Sequence, residues 1–441
     1  MVVSRGTAGT GAVLGLSALG KQNLYIEDTS FNKKSSLFTP SITQHGNFTI
    51  FQTPHVKGTS GSSTWPFGET VKFNINPKMS GDILSRAFIK LTMPKVNNGD
   101  YTVNLGNAII KNYAFAVGGR TIETIPMDWN IIHEEVYASQ SERRANRYLN
   151  NNGQDNIDSN SLPGTDEISL YIPLYFFFNR SNDPTNDYFK PYFYTCACTA
   201  QDIEISVTFN NIPFFTNGTL DRPIDKVTLV LDEATLSEQE RNYYIANKQT
   251  VVYNTVIKQP VHPIPTSDRK FTNFLVASKP VKAFHWFFRK TVYENDQDST
   301  YYQDRFNFSY KDRDLTNTAN NEDDAQIMGV SNIYLNGSQQ VGLKGGSTDH
   351  SYYKNVVPII HNLDTPYRNI YSYSFCLNPR DPQPSGSLDF SVMNSSKTLI
   401  EGNIKEDQNA NQLQSSLNCH LYYLGYMVMT YEDDHCGLMF S

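Results

Sequence analysis

The residue types best suited to chemistry in this 441-residue chain are two cysteine–histidine pairs and a closely spaced pair of cysteines. Cys419-His420 and His435-Cys436 contain the thiolate and imidazole ligands that zinc prefers. Adjacent residues on a strand point to opposite faces, however, so the two members of each pair are poorly placed to share one ion. Cys196 and Cys198 fit small apolar core residues better than metal ligands. We therefore predict no metal site and no cofactor.

Acidic groups form the second set of candidates. Glu322-Asp323-Asp324 and Glu432-Asp433-Asp434 lack the alternating oxygen ligands and the turn glycine of a calcium loop, which favours solvated loop charge. Glu134-Glu135 is a candidate carboxylate pair for glycoside hydrolysis, but adjacent carboxylates are common on helix surfaces. The chain has no P-loop, no dinucleotide-binding fingerprint and no G-x-S-x-G elbow. The sequence therefore predicts no catalytic residues, which favours a structural or binding protein.

The composition narrows the class of protein further. Aromatic residues make up 13% of the chain and charged residues only 18%, which favours β-sheets, where aromatic side chains pack well. The 37 basic and 44 acidic residues give a formal net charge of −7. Because a dedicated nucleic-acid binder needs a basic face, we expect no direct binding to nucleic acid. The odd number of cysteines, five, is not a disulfide framework and fits a reducing compartment.

Period-two alternation of apolar and polar residues dominates the chain and predicts strands in both halves. The clearest case is residues 202–209, DIEISVTF, in which every second side chain is apolar. Helical patterns are confined to residues 128–149, which begin at an aspartate cap, and to residues 235–244, where Ser237 and Glu240 form a capping box. Both predicted helices are short and peripheral to the sheets. The pattern predicts an all-β protein built of antiparallel jelly-roll sandwiches.

A stretch rich in Pro, Gly and Asn lies between a completed strand and the start of another, and it separates two β-rich halves. We predict a flexible Gly/Ala-rich arm over residues 1–24, a first jelly roll over 25–212, a linker over 213–224 and a second jelly roll over 225–441. Two domains of about 200 residues each suit large β modules.

Six N-x-S/T triplets are candidate acceptors for N-linked glycans. Such triplets arise often by chance in a chain rich in Asn, and modification requires the secretory pathway. The acceptor residues are Asn47, Asn179, Asn217, Asn307, Asn336 and Asn394.

Further motifs occur in a fixed order along the chain. Residues 104–135 contain a strand, a Gly118-Gly119 turn and an Asp-Trp pair, Asp128-Trp129, at the start of a predicted helix. Residues 170–181, LYIPLYFFFNRS, place Pro173 and an arginine around an aromatic run.

The most specific motif is IYSYSFCLNPRDPQPSGSLDFS, over residues 370–391. Three prolines within six residues stiffen the connection between two strand-like runs, and a glycine permits a tight bend there. The motif residues of this connection and of the strand after it are Gln383, Pro384, Ser385, Gly386 and Phe390.

Together these motifs resemble the double jelly-roll major capsid proteins of nucleocytoplasmic large DNA viruses, of the iridovirus and phycodnavirus type. Residues 370–391 are similar to the family pattern I-Y-x-Y-S-F-x-L-x-P-x-x-x-Q-P-S-G-x-x-N-F-S, with Asp389 in place of the usual Asn. The motifs keep the family order over residues 81–441, whereas residues 1–80 match more loosely. The departures leave open whether the chain is the major capsid protein or a divergent minor paralogue.

The resemblance implies two consecutive antiparallel eight-stranded jelly-roll sandwiches with a few short peripheral helices, and a structural protein rather than an enzyme. It implies a homotrimer that forms a pseudo-hexagonal capsomer in the icosahedral shell of a large double-stranded DNA virus. The implied partners are neighbouring capsomers, minor capsid proteins and an internal viral membrane beneath the shell. The implied location is the virion, after assembly in the host cytoplasm. The alternatives are a minor capsid paralogue, a membrane-shaping scaffold of the same fold, and a paired jelly-roll glycan-active enzyme or lectin.

Overall fold

The computed structural model describes residues 46–59, 61–150, 167–180, 191–312, 326–342, 345–405, 413 and 415–439, together with the backbone of 161–163. The predicted arm over residues 1–24 lies outside this part of the chain. Phe48–Ser441 forms one compact unit.

Strands account for most of the regular structure in the first half of the chain. They are β1 (Phe48–Gly58), β2 (Thr70–Ile75), β3 (Ile83–Met93), β4 (Val96–Asn97), β5 (Asp100–Thr102), β6 (Ile110–Val117), β7 (Arg120–Pro126), β8 (Ser161–Pro163), β9 (Ile168–Pro173), β10 (Phe193–Tyr194), β11 (Ile203–Phe209), β12 (Thr219–Leu220) and β13 (Lys226–Leu236).

Two antiparallel sheets of these strands form the first sandwich. One sheet has the order β1-β13-β3, with β9 and β10 also paired to β3, and the other has the order β2-β11-β6-β7. The alternation seen in DIEISVTF sets the orientation of β11, because Ile203, Ile205, Val207 and Phe209 are at most 1% exposed. The side chains between them are partly exposed.

The second half of the chain is built in the same way. Its strands are β14 (Gln249–Lys258), β15 (His262–Ile264), β16 (Lys270–Phe274), β17 (Pro280–Lys290), β18 (Met328–Leu335), β19 (Ser338–Gln339), β20 (Thr348–Asp349), β21 (Tyr371–Ser374), β22 (Leu388–Asp389), β23 (Leu399–Ile404), β24 (Leu417–Glu432) and β25 (His435–Leu438).

These strands form the second sandwich. One sheet has the order β14-β24-β17-β21, with β15 and β25 on β24 and β22 on β17, and the other has the order β16-β23-β18-β19, with β20 on β18. The strand pairs of both sandwiches are antiparallel. The structure therefore confirms the predicted all-β class, with two antiparallel sandwiches in one chain.

The helices are short and lie in the connections. They are α1 (Leu105–Ile109), α2 (Met127–Ile132), α3 (Gln140–Leu149), α4 (Glu238–Ala246) and α5 (Val357–Ile360), with π-helical turns at His133–Tyr137 and Tyr352–Val356 and 3₁₀ turns at Thr195–Ala197, Ile212–Phe214, Thr291–Glu294, Tyr302–Asp304, Phe390–Val392 and Ser395–Lys397. None of the helices in the described part of the chain is long and apolar enough to cross a bilayer.

The helix predicted over residues 128–149 differs from the observed structure in three ways. Pro126 rather than Asp128 is the N-cap of α2, and the helical path breaks before Ser139, which caps α3 with a full capping box. The third difference is burial, because Met127–Val136 is buried throughout and is not peripheral. The other predicted helix, α4, has no buried residue and is peripheral as predicted. The second sandwich completes the burial of Met127–Val136, through contacts with Asp128 and Glu135 that sequence periodicity alone does not reveal.

The pairing of strand β13 indicates where the chain passes from the first sandwich to the second. The residues of β13, Lys226–Leu236, lie in the range predicted for the second jelly roll, 225–441. The strand nevertheless pairs with β1 over eleven residues and with β3 on its other side, in a sheet of the first sandwich. This pairing moves the proposed division from the 213–224 linker to the segment that contains α4, between β13 and β14. The apolar pattern of β13 predicted a strand but carried no information on its partner.

Candidate functional site at the junction between the sandwiches

The sheet β14-β24-β17-β21 is covered on both faces. Phe284, Trp286 and Phe288 of β17 point into the core of the second sandwich, while Phe287 lies in the cluster that contains the core of the first. β24 divides in the same way, because Tyr422 joins the first cluster and Tyr423 the second. On one face of this sheet, β14, β17 and β24 contact the segment Met127–Tyr137 and its neighbours in the first sandwich. We call this contact surface the junction.

A buried ion pair lies at the centre of the junction. Arg289 Nη1 on β17 donates to Asp128 Oδ1 on α2 at 2.8 Å, and the Tyr422 hydroxyl donates to Asp128 Oδ2 at 2.9 Å. Burial alone would raise the pKa of Asp128, but the Arg289 guanidinium holds it well below its usual value. The Asp128 carboxylate is therefore ionised and joins the two sandwiches.

The same arginine extends the network within the second sandwich. Arg289 Nε donates to Glu294 Oε1 at 3.1 Å, and His420 Nε2 lies 2.6 Å from that oxygen. Although burial works against ionisation, Arg289 and His420 lower the pKa of Glu294 to about 2. Arg289 thus lies between two carboxylates.

One further carboxylate–guanidinium pair crosses the junction, and a second pair, within the first sandwich, accepts a backbone N–H of the second sandwich. Glu135 pairs with Arg368, whose backbone N–H also donates to Glu135 Oε2 at 2.9 Å. Glu123 accepts from Arg180 Nη2 at 2.7 Å and from the backbone N–H of Val256, on β14, at 3.3 Å. Removing one partner of such a pair leaves a buried charge uncompensated, so these contacts define the relative position of the sandwiches.

The carboxylates that were candidates for glycoside hydrolysis are not on a helix surface. Glu134 and Glu135 are 2% and 0% exposed. Glu134 accepts from Asn150 Nδ2 at 2.9 Å and from Asn107 Nδ2 at 3.2 Å, and burial raises its pKa to about 7. The surface placement was wrong because the second sandwich covers this segment. At this degree of burial, neither carboxylate is accessible to a glycan from solvent in the described part of the chain.

The remaining family-motif residues of the first sandwich support this geometry. Gly118 and Gly119, with φ of 58° and 76°, form the turn between β6 and β7 as predicted. Trp129 is fully buried, and its ring lies 6.3 Å from that of Tyr422. The Pro173 carbonyl accepts from Asn130 Nδ2 at 3.3 Å, which ties β9 to α2.

Residues 375–387 connect β21 to β22, and we call them the corner. Gly386 has φ of 136°, and a Cβ there would lie 3.1 Å from the Phe375 carbonyl oxygen. Ser385 Oγ accepts from the Asn378 N–H at 3.2 Å, and the Ser385 N–H donates to the Tyr426 hydroxyl at 3.3 Å. The corner is therefore closed by its own polar contacts and is anchored to β24.

The other motif residues divide between surface and core. Gln383 and Pro384 are exposed, whereas Phe390 is 5% exposed and packs between Phe375 and Tyr423. Asp389, which replaces the family Asn, accepts from the Ser391 N–H at 2.9 Å and caps the turn that follows.

The cysteine–histidine pairs are separated in space. Cys419 lies in the core of the second sandwich, whereas His420 faces Glu294 on the opposite side of β24. His435 is exposed at the β24–β25 turn. Within the described ranges, no group of three or more His, Cys, Asp or Glu residues is arranged to hold a metal ion.

The candidate glycosylation residues differ in exposure. Asn179 and Asn307 are 3% and 2% exposed, and both side-chain amides donate to backbone carbonyls. Their burial argues against glycan attachment at these two positions in the folded chain, because an acceptor amide must reach the surface. The side chains of Asn47, Asn217, Asn336 and Asn394 are exposed.

Sequence reasoning missed Arg289, Arg368 and Tyr422 as junction residues. One signal was available for Arg289, because a charged residue at the end of the apolar run over 283–288 is unusual unless it is paired. Its partner, Asp128, lies 161 positions away. Without a second sequence or a structure, that pairing has no signature.

Comparison of this sequence with models of known protein families shows which family the chain belongs to. Residues 232–431 match the family described as large eukaryotic DNA virus major capsid protein, and residues 36–227 match the major capsid protein N-terminus. The chain belongs to the major capsid protein family of large eukaryotic DNA viruses. Its role is therefore structural rather than enzymatic, and its place is the virus capsid.

Individual relatives agree with this assignment. The chain is 22% identical to the major capsid protein of Paramecium bursaria Chlorella virus 1 over 395 residues, which are 86% of this chain and 85% of that protein. It is also 22% identical to capsid protein 1 of Acanthamoeba polyphaga mimivirus over 312 residues, 66% of this chain. The match spans about half, 51%, of that mimivirus protein.

Solved structures share the fold. A chain from the PBCV-1 virus capsid has a TM-score of 0.70 at 18% identity, covering 92% of this chain and all of that one. The Faustovirus major capsid protein has a TM-score of 0.66 at 10% identity, covering 90% of this chain and 92% of that one. These structures confirm the predicted double jelly-roll fold, and the family matches over residues 36–227 and 232–431 confirm the predicted family.

Proposed function

We propose that three copies of this chain form a pseudo-hexagonal capsomer that tiles the icosahedral shell of a large double-stranded DNA virus. The observation that carries the proposal is the junction, in which buried ion pairs fuse two similar sandwiches into one block. A trimer of such blocks presents six similar lobes, which suits hexagonal packing. A heterologous contact that closes on itself generates such a ring.

Exposed apolar side chains on both sandwiches support this assembly. β1 exposes Phe48, Ile50 and Val56, at 58%, 66% and 58%. The second sandwich exposes Ile359 and Leu377, at 73% and 80%. A heterologous ring needs two different surfaces on each chain, and apolar patches are typical of such interfaces.

The proposed partners are neighbouring capsomers, minor capsid proteins and an internal membrane beneath the shell. Assembly in the host cytoplasm is also part of the proposal. The cysteines support that compartment, because Cys196, Cys198, Cys376, Cys419 and Cys436 are all free and buried.

Measuring both the mass of the purified chain and its abundance in virions tests the proposal. Light scattering is expected to give three times the chain mass, and quantitative mass spectrometry of virions is expected to show the chain as a dominant component. A trimer of low abundance would assign the chain to a minor place in the shell. Its loss from mature virions would assign it to a membrane-shaping scaffold.

A further inference from the structure

A small cavity lies where the corner meets the first sandwich. Its volume is about 30 Å³. Trp129, His133 and Arg180 line it from the first sandwich, and Pro379, Arg380 and Pro382 of the corner line it from the second. A cavity of this size holds about two guests the size of a water molecule.

Three of the residues that line this cavity carry a side-chain N–H without a partner. Trp129 Nε1, Arg180 Nε and Arg380 Nε are buried and have no hydrogen-bond partner among the residues that the structure describes. The side chain of Arg180 is 8% exposed and Trp129 is 0% exposed. Buried donors are rarely left unpaired in folded proteins, so a guest that accepts from these three is expected.

The fourth lining nitrogen needs a different partner. His133 Nε2 lies 3.2 Å from the Arg180 carbonyl oxygen and must donate to it, so neutral His133 presents the lone pair of Nδ1. That Nδ1 also has no partner among the described residues. A water molecule can donate to Nδ1, whereas an anion cannot accept from it.

The charges near the cavity favour an anion as the guest that accepts from the three N–H donors. Arg143 Nη2 and Arg380 Nη2 both pair with Asp364 Oδ2, at 3.6 Å and 3.1 Å. Arg180 has Glu123 as its ionic partner. Arg180 and Arg380 line the cavity, whereas Arg143 is the second cation on Asp364, so these three guanidiniums share two carboxylates. A monovalent anion would balance this excess.

We propose that the cavity between Trp129, Arg180 and Arg380 binds a small monovalent anion of the halide class, accompanied by one water molecule. The anion accepts from the three N–H donors. The water donates to the anion and to His133 Nδ1. Because Arg380 belongs to the corner and the other donors belong to the first sandwich, the guest links the two sandwiches. This site does not depend on the oligomeric state.

Bromide substitution tests the proposal on the unmodified protein. Crystals of the full chain grown in sodium bromide are expected to show an anomalous peak at the bromine edge inside the cavity, within about 3.5 Å of the three donors. Two water molecules there, with no anomalous peak, would overturn the proposal.

Thermal unfolding in two salts gives a second readout. With sodium gluconate holding the ionic strength constant, Tm is expected to rise by roughly 2 °C for each tenfold increase in chloride above its dissociation constant. Arg380→Gln is expected to remove this chloride dependence, whatever its own Tm. Arg222→Gln, at an exposed ion pair, should retain it. Equal chloride dependence in Arg380→Gln and the unmodified chain would contradict the site.

Discussion

At the scale of single residues, Gly386 tests whether the corner is architectural. Its φ of 136° is a backbone conformation that side chains rarely adopt, and a Cβ would approach the Phe375 carbonyl oxygen to 3.1 Å, closer than most Cβ contacts. We expect Gly386→Val to lower the free energy of unfolding by about 1–3 kcal/mol, measured by chemical denaturation.

Gly58 provides a matched control for this substitution. An added Cβ there meets no atom within 4 Å. Gly58→Val should change the free energy of unfolding by less than about 0.5 kcal/mol. Equal losses at both positions would show that the corner has no special constraint.

The Asp128–Arg289 pair tests the energetic role of the junction. Arg289→Met leaves the buried Asp128 carboxylate without its cation, so we expect a loss of about 3–5 kcal/mol in the free energy of unfolding. Asp128→Leu combined with Arg289→Met should recover part of that loss, because the Asp128 charge is then removed as well, while Glu294 keeps His420 as its partner. Arg222→Met, which breaks an exposed pair with Glu167, should cost less than about 1 kcal/mol. Additive losses in the double variant would argue against a coupled pair.

Buried His285 predicts how stability depends on pH. Burial lowers its pKa to about 3, whereas the pKa of histidine in the unfolded chain is about 6.5. Below pH 6.5 the unfolded chain binds a proton that the folded chain does not, so the free energy of unfolding falls as the pH decreases towards 3. The slope from this residue is roughly 1.4 kcal/mol per pH unit.

The pH prediction is checked by denaturation of matched variants between pH 3 and 8. His285→Gln should have a shallower slope below pH 6.5 than the unmodified chain, and His435→Gln, at an exposed position, should not. Glu134 acts in the opposite direction in an overlapping range, because burial raises its pKa to about 7 and its stabilising contribution is lost as the pH rises from 4.5. The difference between variants isolates His285. Identical slopes in all three proteins would contradict the assignment.

At the scale of secondary-structure elements, β1 tests where copies of the chain meet. Its exposed Ile50 side chain is part of the apolar surface that supports the trimer. We expect Ile50→Lys to raise the concentration needed for assembly at least tenfold while leaving unfolding of the monomer unchanged, because burial of a lysine at an apolar contact is unfavourable. Light scattering over a dilution series measures this.

Thr49→Lys serves as the control within the same strand. Thr49 is exposed but its side chain points to the other face of β1. The Thr49→Lys variant should therefore assemble at the same concentration as the unmodified chain. Equal assembly of Ile50→Lys and the unmodified chain would move the proposed contact away from this face of β1.

The elements also show which parts of the fold the sequence could predict. Strict alternation fixed the orientation of β11, and the paired glycines 118 and 119 predicted the β6–β7 turn. The pairing of β13 with β1 was beyond reach, because alternation identifies a buried face but not the neighbouring strand. Burial of Met127–Val136 was also missed, since the strands that cover it lie more than a hundred residues away.

The candidate site was predictable only in part for the same physical reason. Asp128, Trp129, Gly386 and Phe390 were found through ordered motifs that resemble a family. Their partners, such as Arg289 and Tyr422, are brought to them by tertiary packing alone. Buried ion pairs between distant segments leave no local pattern, whereas turns and strand faces do.

At the scale of the whole molecule, the central claim is that one chain is a rigid block of two sandwiches and that three blocks make a capsomer. The fold and the family membership follow from the sheets, the junction and the matches to capsid proteins. The proposed trimer is the step that would connect this block to a shell.

Cryo-electron microscopy of the purified full chain at physiological salt tests this claim most directly. The account predicts particles with threefold symmetry and six similar lobes, in which each chain supplies two neighbouring lobes joined through Asp128 and Arg289. A two-lobed monomer that persists at high protein concentration would contradict it.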